Sequence, residues 1–325
     1  MKKINWGIIG LGDIAHQFAS QFDSDNANLL GVASHTLQKA FEFSKKYEVK
    51  KAYGSYEELA YDPEIDIVYV ATPNSYHYAD MLMLLKAGKH VLCEKPITLN
   101  RTQLNTVLKV AQTKNLLVAE AMTIYHMPLH QKIKSNIQTN KYGKLKMIHT
   151  FFGSKQTVDP TDRFYDPDLG GGALLDIGVY ALSFIRYFLS SQPDERQTAV
   201  SLNKTGVDDS STFHFRNKQD EIGTAALSFQ ATMPIQGVIV CEKAYITVTD
   251  FPRASQAIVT YSNGSTEEIN LGDSSKALTY EIQAISQTLL SESDFSFLSL
   301  TRDVNELIDW AAKEWDMSWI VEGEN

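Results

Sequence analysis

The chain is poor in cysteine, in positive charge and in uninterrupted apolar sequence, and each shortage removes a class of protein. Two cysteines, Cys93 and Cys241, among 325 residues provide neither a disulfide framework nor a cysteine-ligated zinc site, and they suit a reducing, cytoplasmic setting. With 30 Lys and Arg against 39 Asp and Glu the formal charge is −9, which argues against nucleic acid or an anionic membrane as partner. The apolar stretch that follows Lys2 and Lys3 is broken by Gly10, Gly12 and Asp13 before it reaches the length of a signal or a membrane span. Among the eight histidines, His126 and His130 form an i,i+4 pair without the supporting Cys or carboxylate cluster of a metal site, so no metal is expected. No internal repeat or low-complexity linker breaks the chain.

What remains is ordinary globular composition, 43% hydrophobic and 21% charged, at a length that suits two domains. Short apolar runs at residues 6–9, 29–33, 65–71, 90–93 and 116–119 alternate with helical stretches at 14–22, 37–47, 77–87 and after Asn100. This βαβα rhythm, with runs such as Ile67, Val68, Tyr69 and Val70 that lack polar alternation, predicts an α/β domain with a doubly wound parallel sheet over residues 1–122. Past that point the pattern changes. A helix at 129–137, a strand at 145–152 and a glycine run at 170–172 opening an apolar helix lead into strands that follow one another from 198 to 261. With closing helices at 278–290 and 301–313, this predicts an α+β domain, residues 123–325, on a mostly antiparallel sheet.

Gly10, Leu11, Gly12, Asp13, Ile14 and Ala15 form G-x-G-x-x-A between the first strand and its helix, the context that makes the pattern a Rossmann dinucleotide fingerprint. Gly10 permits the tight turn, Gly12 lets the backbone N–H groups approach a pyrophosphate, and Ala15 packs the helix closely. The N-terminus of that helix, at Asp13 and Ile14, adds partial positive charge. A glycine turn that serves packing alone is the plainer alternative. An NAD-selective site carries an acidic residue about 20 positions onward. Here stand Ala33, Ser34, His35 and Thr36, with Lys39 nearby and no carboxylate before Glu42. Hydroxyl, imidazole and ammonium groups donate to a 2′-phosphate without repelling it, so NADP is favoured over NAD. The alternative here is a solvated turn with Lys39 as a surface charge.

With that fingerprint, Ala71-Thr72-Pro73-Asn74 followed by His77, Glu94-Lys95-Pro96, and the run from Gly170 through Asp176 to Tyr180, the sequence resembles the glucose-fructose oxidoreductase, inositol dehydrogenase and rhizopine catabolism (Gfo/Idh/MocA) family across both domains. Within it, the branch of dimeric dihydrodiol dehydrogenase and similar NADP-dependent reductases is nearest in pattern. The resemblance implies that Thr72, Pro73, Asn74 and His77 line the dinucleotide. It implies that Glu94 and Lys95 stand beside the nicotinamide ribose and the substrate, with a cis Lys95–Pro96 bond. It also implies a homodimer or tetramer formed through the open sheet of the second domain. The sequence departs from the branch after Glu120. Residues 122–128 lack the arginine of a Trp-Thr-Arg-Phe-like segment, so substrate identity does not transfer.

Reducing a carbonyl needs hydride at carbon, which nicotinamide supplies, and a proton at oxygen, which the protein supplies. Tyr180 can give that proton once an ammonium favours its phenolate, and Lys95 is the residue placed for this; it would also offset charge on the forming alkoxide. Asp176, four residues before Tyr180 on one helix face, would orient substrate hydroxyls or hold Lys95. Arg163 would reach cofactor or substrate, or make a surface salt bridge. Plainer readings stand beside these: Tyr180 in a core, Lys95 at a solvated strand end, Asp176 as a helix cap, His77 as a cap or core residue. The expected activity is hydride transfer by an NADP(H)-dependent oxidoreductase between nicotinamide and the CH–OH group of a small sugar, polyol, dihydrodiol or carbonyl compound. A nicotinamide-binding sensor without turnover, or a glycoside hydrolase using tightly bound NAD, are the alternatives.

Overall fold

The structure is a computed structural model that describes residues 3–159, 162–291 and 293–321. The chain divides into two compact units, Met1–Ala121 with Leu278–Leu298, and Met122–Ala277 with Ser299–Asn325.

In the first unit, strands β1 (Ile4–Ile9), β2 (Ala27–Ala33), β3 (Lys51–Tyr53), β4 (Ile67–Val70), β5 (His90–Glu94) and β6 (Val118–Ala121) alternate with helices α1 (Asp13–Ser20), α2 (Leu37–Lys46), α3 (Tyr56–Ala60), α4 (His77–Lys86) and α5 (Arg101–Lys114). The strands form one parallel sheet in the order β3-β2-β1-β4-β5-β6. A core lies on each face. Trp6, Ile8, Phe18 and Tyr69 fill one, with Phe18 stacked 3.8 Å from Tyr69; Ile9, Val68, Val70, Met81 and Leu84 fill the other. Burial on both faces is why β1 and β4 read as continuous apolar runs.

The second unit opens with α6 (Thr123–His126) and α7 (Pro128–Gln138), then β7 (Leu145–Gly153), α8 (Val179–Phe188), and strands β8 (Glu195–Leu202), β9 (Asp208–Arg216), β10 (Ile222–Ser228), β11 (Met233–Cys241), β12 (Ala244–Thr249), β13 (Gln256–Tyr261) and β14 (Thr266–Asn270). These make one sheet, β14-β13-β12-β11-β7-β10-β9-β8, antiparallel except where β7 runs parallel to β10. The stretch 167–188 is long and apolar enough to cross a membrane, but 78% of its most apolar window is buried inside the protein, as in a core helix.

Helices α9 (Ala277–Leu290), α10 (Leu298–Glu314) and α11 (Ser318–Val321) close the chain. The sequence reading placed α9 with the second domain; the structure packs it on the first sheet. Leu278, Ile282 and Ile285 join the core around Trp6, whose indole Nε1 donates to Ser286 Oγ at 3.1 Å. Thr279 Oγ1 donates to Gln21 O at 2.7 Å. Its apolar stripe announces a helix that needs a partner, but nothing local names which sheet it covers. Strands β3 and β14 and helix α3 had no expectation in the sequence reading.

Candidate active site

The two glycines of the first turn do different work. Gly10 has a φ of +80°, and a Cβ there would lie 2.6 Å from the carbonyl carbon and oxygen of Ala71 and from the nitrogen of Thr72. The ends of β1 and β4 meet backbone to backbone, so no side chain fits. Gly12 is extended, at φ −91° and ψ −169°, and a Cβ on it would meet nothing within 4 Å. Its bareness leaves room. As N-cap of α1 it brings no side-chain acceptor to the first turn, which begins at Asp13 and Ile14. An uncapped helix N-terminus with open space before it fits a pyrophosphate.

At the end of β2, Ser34 is buried and its N–H donates to Tyr53 O at 3.3 Å, while His35, Thr36 and Lys39 are exposed. The His35 ring rests 4.7 Å from that of Tyr56. Burial pushes the Tyr56 phenol up to about 12, although a hydrogen bond ties it to the Gly10 backbone. Thr72 Oγ1 donates to Asp80 Oδ2 at 2.7 Å, and burial raises the Asp80 carboxyl despite that bond. Pro73 is exposed and Asn74 half-buried at the turn into α4.

His77 is not where the resemblance implied. It is fully buried, with Nδ1 2.9 Å from Pro96 O and Nε2 2.8 Å from Thr72 O, and burial holds its pKa below the ordinary value. Both ring nitrogens face protein carbonyls, so it joins the turn after β4 to the loop after β5 instead of lining a ligand. Glu94 also faces protein: its carboxylate accepts from the Tyr69 hydroxyl, and from Lys95 N at 3.2 Å. Lys95 itself is half-buried, at a Lys95–Pro96 bond that is cis. Past the proline, Ile97 N donates to Glu120 Oε1 at 3.0 Å. These buried acceptors fix the backbone that carries the Lys95 ammonium.

In the second unit, the glycine run is tied back to the loop before it, with Gly171 N donating to Asp166 O at 3.0 Å and Gly172 N to Phe164 O at 2.9 Å. The helix that follows begins with a π-helical turn, Leu174–Gly178, and becomes α-helical at Val179. An uninterrupted α-helix was expected; Asp176 instead lies in the widened turn and Tyr180 just past it, an arrangement frequent at functional sites. Arg163 Nη1 lies 3.6 Å from Asp176 Oδ1, and its guanidinium sits over the Phe164 ring at 4.0 Å. Arg163 is thus brought to Asp176, in a long ion pair whose arginine is exposed and whose aspartate is half-buried, of small energetic weight. Tyr180 is half-buried, its ring 6.4 Å from that of Phe152 on β7.

Sequence reading missed Tyr56, Asp80 and Glu120. The available signals were Ser55, which caps α3 by accepting from Glu58 N at 3.2 Å, the aspartate one turn beyond His77, and a carboxylate inside the apolar strand β6. The divergent segment after Glu120 forms α6 and the start of α7. There Thr123 Oγ1 donates to Pro252 O at 2.8 Å, and burial takes His126 down to about 3 and His130 to about 4. Among the described residues no three His, Cys, Asp or Glu side chains gather as a metal site.

A bare glycine turn that opens a helix at the C-terminal end of a parallel strand is what a Rossmann nucleotide domain of an NAD(P)-dependent oxidoreductase requires. More narrowly, the chain belongs to the Gfo/Idh/MocA family. Residues 4–122 match its oxidoreductase family, NAD-binding Rossmann fold, and residues 130–247 match its C-terminal domain. Trans-1,2-dihydrobenzene-1,2-diol dehydrogenase of Xenopus tropicalis is 30% identical over 95% of this chain and 97% of that protein. The Bos taurus enzyme of the same name is 35% identical over 64% of this chain and 63% of its own. Among solved structures, the 3-ketoreductase KijD10 of Actinomadura kijaniata, in complex with NADP and TDP-benzene, shares the fold with a TM-score of 0.83 at 23% identity, covering 95% of this chain and 96% of that one. An NAD binding oxidoreductase from Klebsiella pneumoniae does so with a TM-score of 0.84 at 19% identity, covering 94% and 95%.

Proposed function

We propose that this chain is an NADP(H)-dependent oxidoreductase acting on the CH–OH group, or the corresponding carbonyl, of a small sugar, polyol or dihydrodiol-type compound. The turn after β2 carries the cofactor part of the reading: His35, Thr36 and Lys39 are exposed beside Ser34, and no carboxylate stands among them. The similarity to dihydrodiol dehydrogenases supports the substrate class.

When bound, the nicotinamide supplies the hydride. The first-turn amides at Asp13 and Ile14 hold the pyrophosphate, in the room that Gly12 leaves; Thr72, Pro73 and Asn74 border the dinucleotide, with Glu94 and His77 holding that border in place. Tyr180 gives its phenolic proton to the substrate oxygen, and the Lys95 ammonium favours the phenolate left behind. Asp176, steadied by Arg163, accepts hydrogen bonds from substrate hydroxyls. The open sheet face, where Phe151, Tyr245 and Ile258 are exposed, joins copies of the chain into a homodimer or tetramer. With two free, buried cysteines, the protein works in the cytoplasm.

The test is a fluorescence titration with NADPH and NADH, followed by a panel of small carbonyl compounds and diols read through NADPH absorbance. Tighter NADPH binding with net turnover supports the proposal. Cofactor binding without turnover would move the assignment to a sensor, and hydrolysis without net redox change to a glycoside hydrolase.

A further inference from the structure

Asp208 opens β9, and its side chain is 0% exposed. Its Oδ2 accepts from Leu174 N, the first residue of the π-helical turn, at 2.9 Å. Its Oδ1 has no partner outside its own residue, and it lies 2.5 Å from where a Cβ on Gly172 would stand. Gly172 has a φ of +103°, and its carbonyl accepts from Asp176 N at 3.2 Å. One carboxylate therefore fills the space of the missing side chain at 172 and caps the amide two residues on. Both contacts lead directly into the turn that carries Asp176, four residues before Tyr180.

The titratable groups around it are acidic. Asp209, next on β9, is buried with Oδ2 accepting from Gln230 Nε2 at 2.7 Å, and the buried Tyr165 phenol is raised by burial and by Asp209. Burial and, more weakly, Asp209 raise the Asp208 carboxyl to about 7, against the pull of the Leu174 and Asp208 N–H groups.

We propose that Asp208 is a positioning residue for the reaction: as a carboxylate it holds the start of the helix that presents Asp176 and Tyr180, and on taking up a proton it relaxes that hold. This rests on the roles given above to Asp176 and Tyr180. A charged acceptor binds an amide more strongly than a neutral one, and negative charge is favoured at a helix N-terminus. Turnover then acquires a limb near neutral pH from a residue that never touches substrate.

The first experiment is amide hydrogen exchange across Leu174–Tyr180 in the intact protein, from about pH 6 to about 9, corrected for intrinsic rates. Protection should rise roughly tenfold through the neutral range in the wild type, the difference between a charged and a neutral hydrogen bond, and stay flat in Asp208→Asn. On a confirmed substrate, kcat should follow the same rise in the wild type and lose it in Asp208→Asn, with NADPH affinity equal in both. Wild-type protection that ignores pH, or an Asp208→Asn variant that keeps the wild-type limb, overturns the proposal. If the variant does not fold, the wild-type exchange profile decides alone. A protection step that persists while Tyr180→Phe retains full turnover would sustain the hold of Asp208 on the turn and remove the tyrosine's catalytic assignment.

Discussion

Replacing each glycine of the first turn by alanine separates the architectural glycine from the functional one. In Gly10→Ala the new methyl meets the backbone of Ala71 and Thr72 at 2.6 Å, and a φ of +80° must be held by a residue with a Cβ. Backbone cannot swing aside as a flexible side chain would. Left-handed strain costs roughly 1–2 kcal/mol and overpacking about 1–3 kcal/mol, so a loss of about 2–5 kcal/mol is expected. At about 2–4 °C per kcal/mol, that lowers the midpoint of thermal unfolding by roughly 4–20 °C. Gly12→Ala meets nothing within 4 Å in an extended backbone, so its midpoint should stay put or rise slightly, because alanine narrows the unfolded ensemble. Its methyl enters the space assigned to the pyrophosphate, and NADPH affinity should fall at least tenfold, about 1.4 kcal/mol. Differential scanning fluorimetry and a fluorescence titration on both variants provide the readout. A Gly12→Ala protein with wild-type affinity, or a Gly10→Ala protein with wild-type stability, would refute the reasoning.

Tyr180→Phe should cut kcat by about 10²–10⁴-fold while leaving NADPH affinity unchanged, as loss of a positioned proton donor does; near-normal kcat would shift the role to Lys95 with Asp176 as its orienting partner. Ser34→Asp should reverse the NADPH-over-NADH preference, since a carboxylate repels a 2′-phosphate and accepts bonds from a free ribose diol; an unchanged ratio in the titration counts against the turn after β2 as the selective element. Asp208 gives a stability signature as well. Its folded pKa of about 7 lies above the ordinary carboxylate value near 4, so the folded state holds the proton more tightly, and the stability it contributes is complete at low pH and lost as pH rises from about 4 to about 7. Three pKa units correspond to about 4 kcal/mol, so the stability of Asp208→Asn relative to wild type should climb between pH 5 and pH 8; a constant difference across urea titrations would contradict this.

Much of the nucleotide half was legible because its signals are local. The glycine turn, the strand before it and the helix after it fall within the 17 consecutive residues Ile4–Ser20, and parallel strands covered on both faces print their burial directly as apolar runs. His77 and Glu94 stand out in the sequence, yet their surroundings were not readable from it. A histidine that faces two carbonyls and a histidine that faces a ligand look alike in sequence, and only the fold shows Thr72 O and Pro96 O closing on both ring nitrogens.

By itself the sequence determined the two architectures, the glycine turn between β1 and α1, and the residue types present, since each depends on periodicity or on neighbours a few positions apart. Tertiary structure alone decided what depends on contacts distant in sequence: that α9 returns across more than 150 residues to cover the sheet of Trp6, that Tyr56 and Asp80 brace the ends of β1 and β4, and that Asp208 caps a turn 34 residues earlier in the chain. A buried carboxylate or an apolar stripe states that a partner is needed, because unpaired polar groups and exposed apolar faces are costly. Which partner it finds is set by the packing of the whole unit.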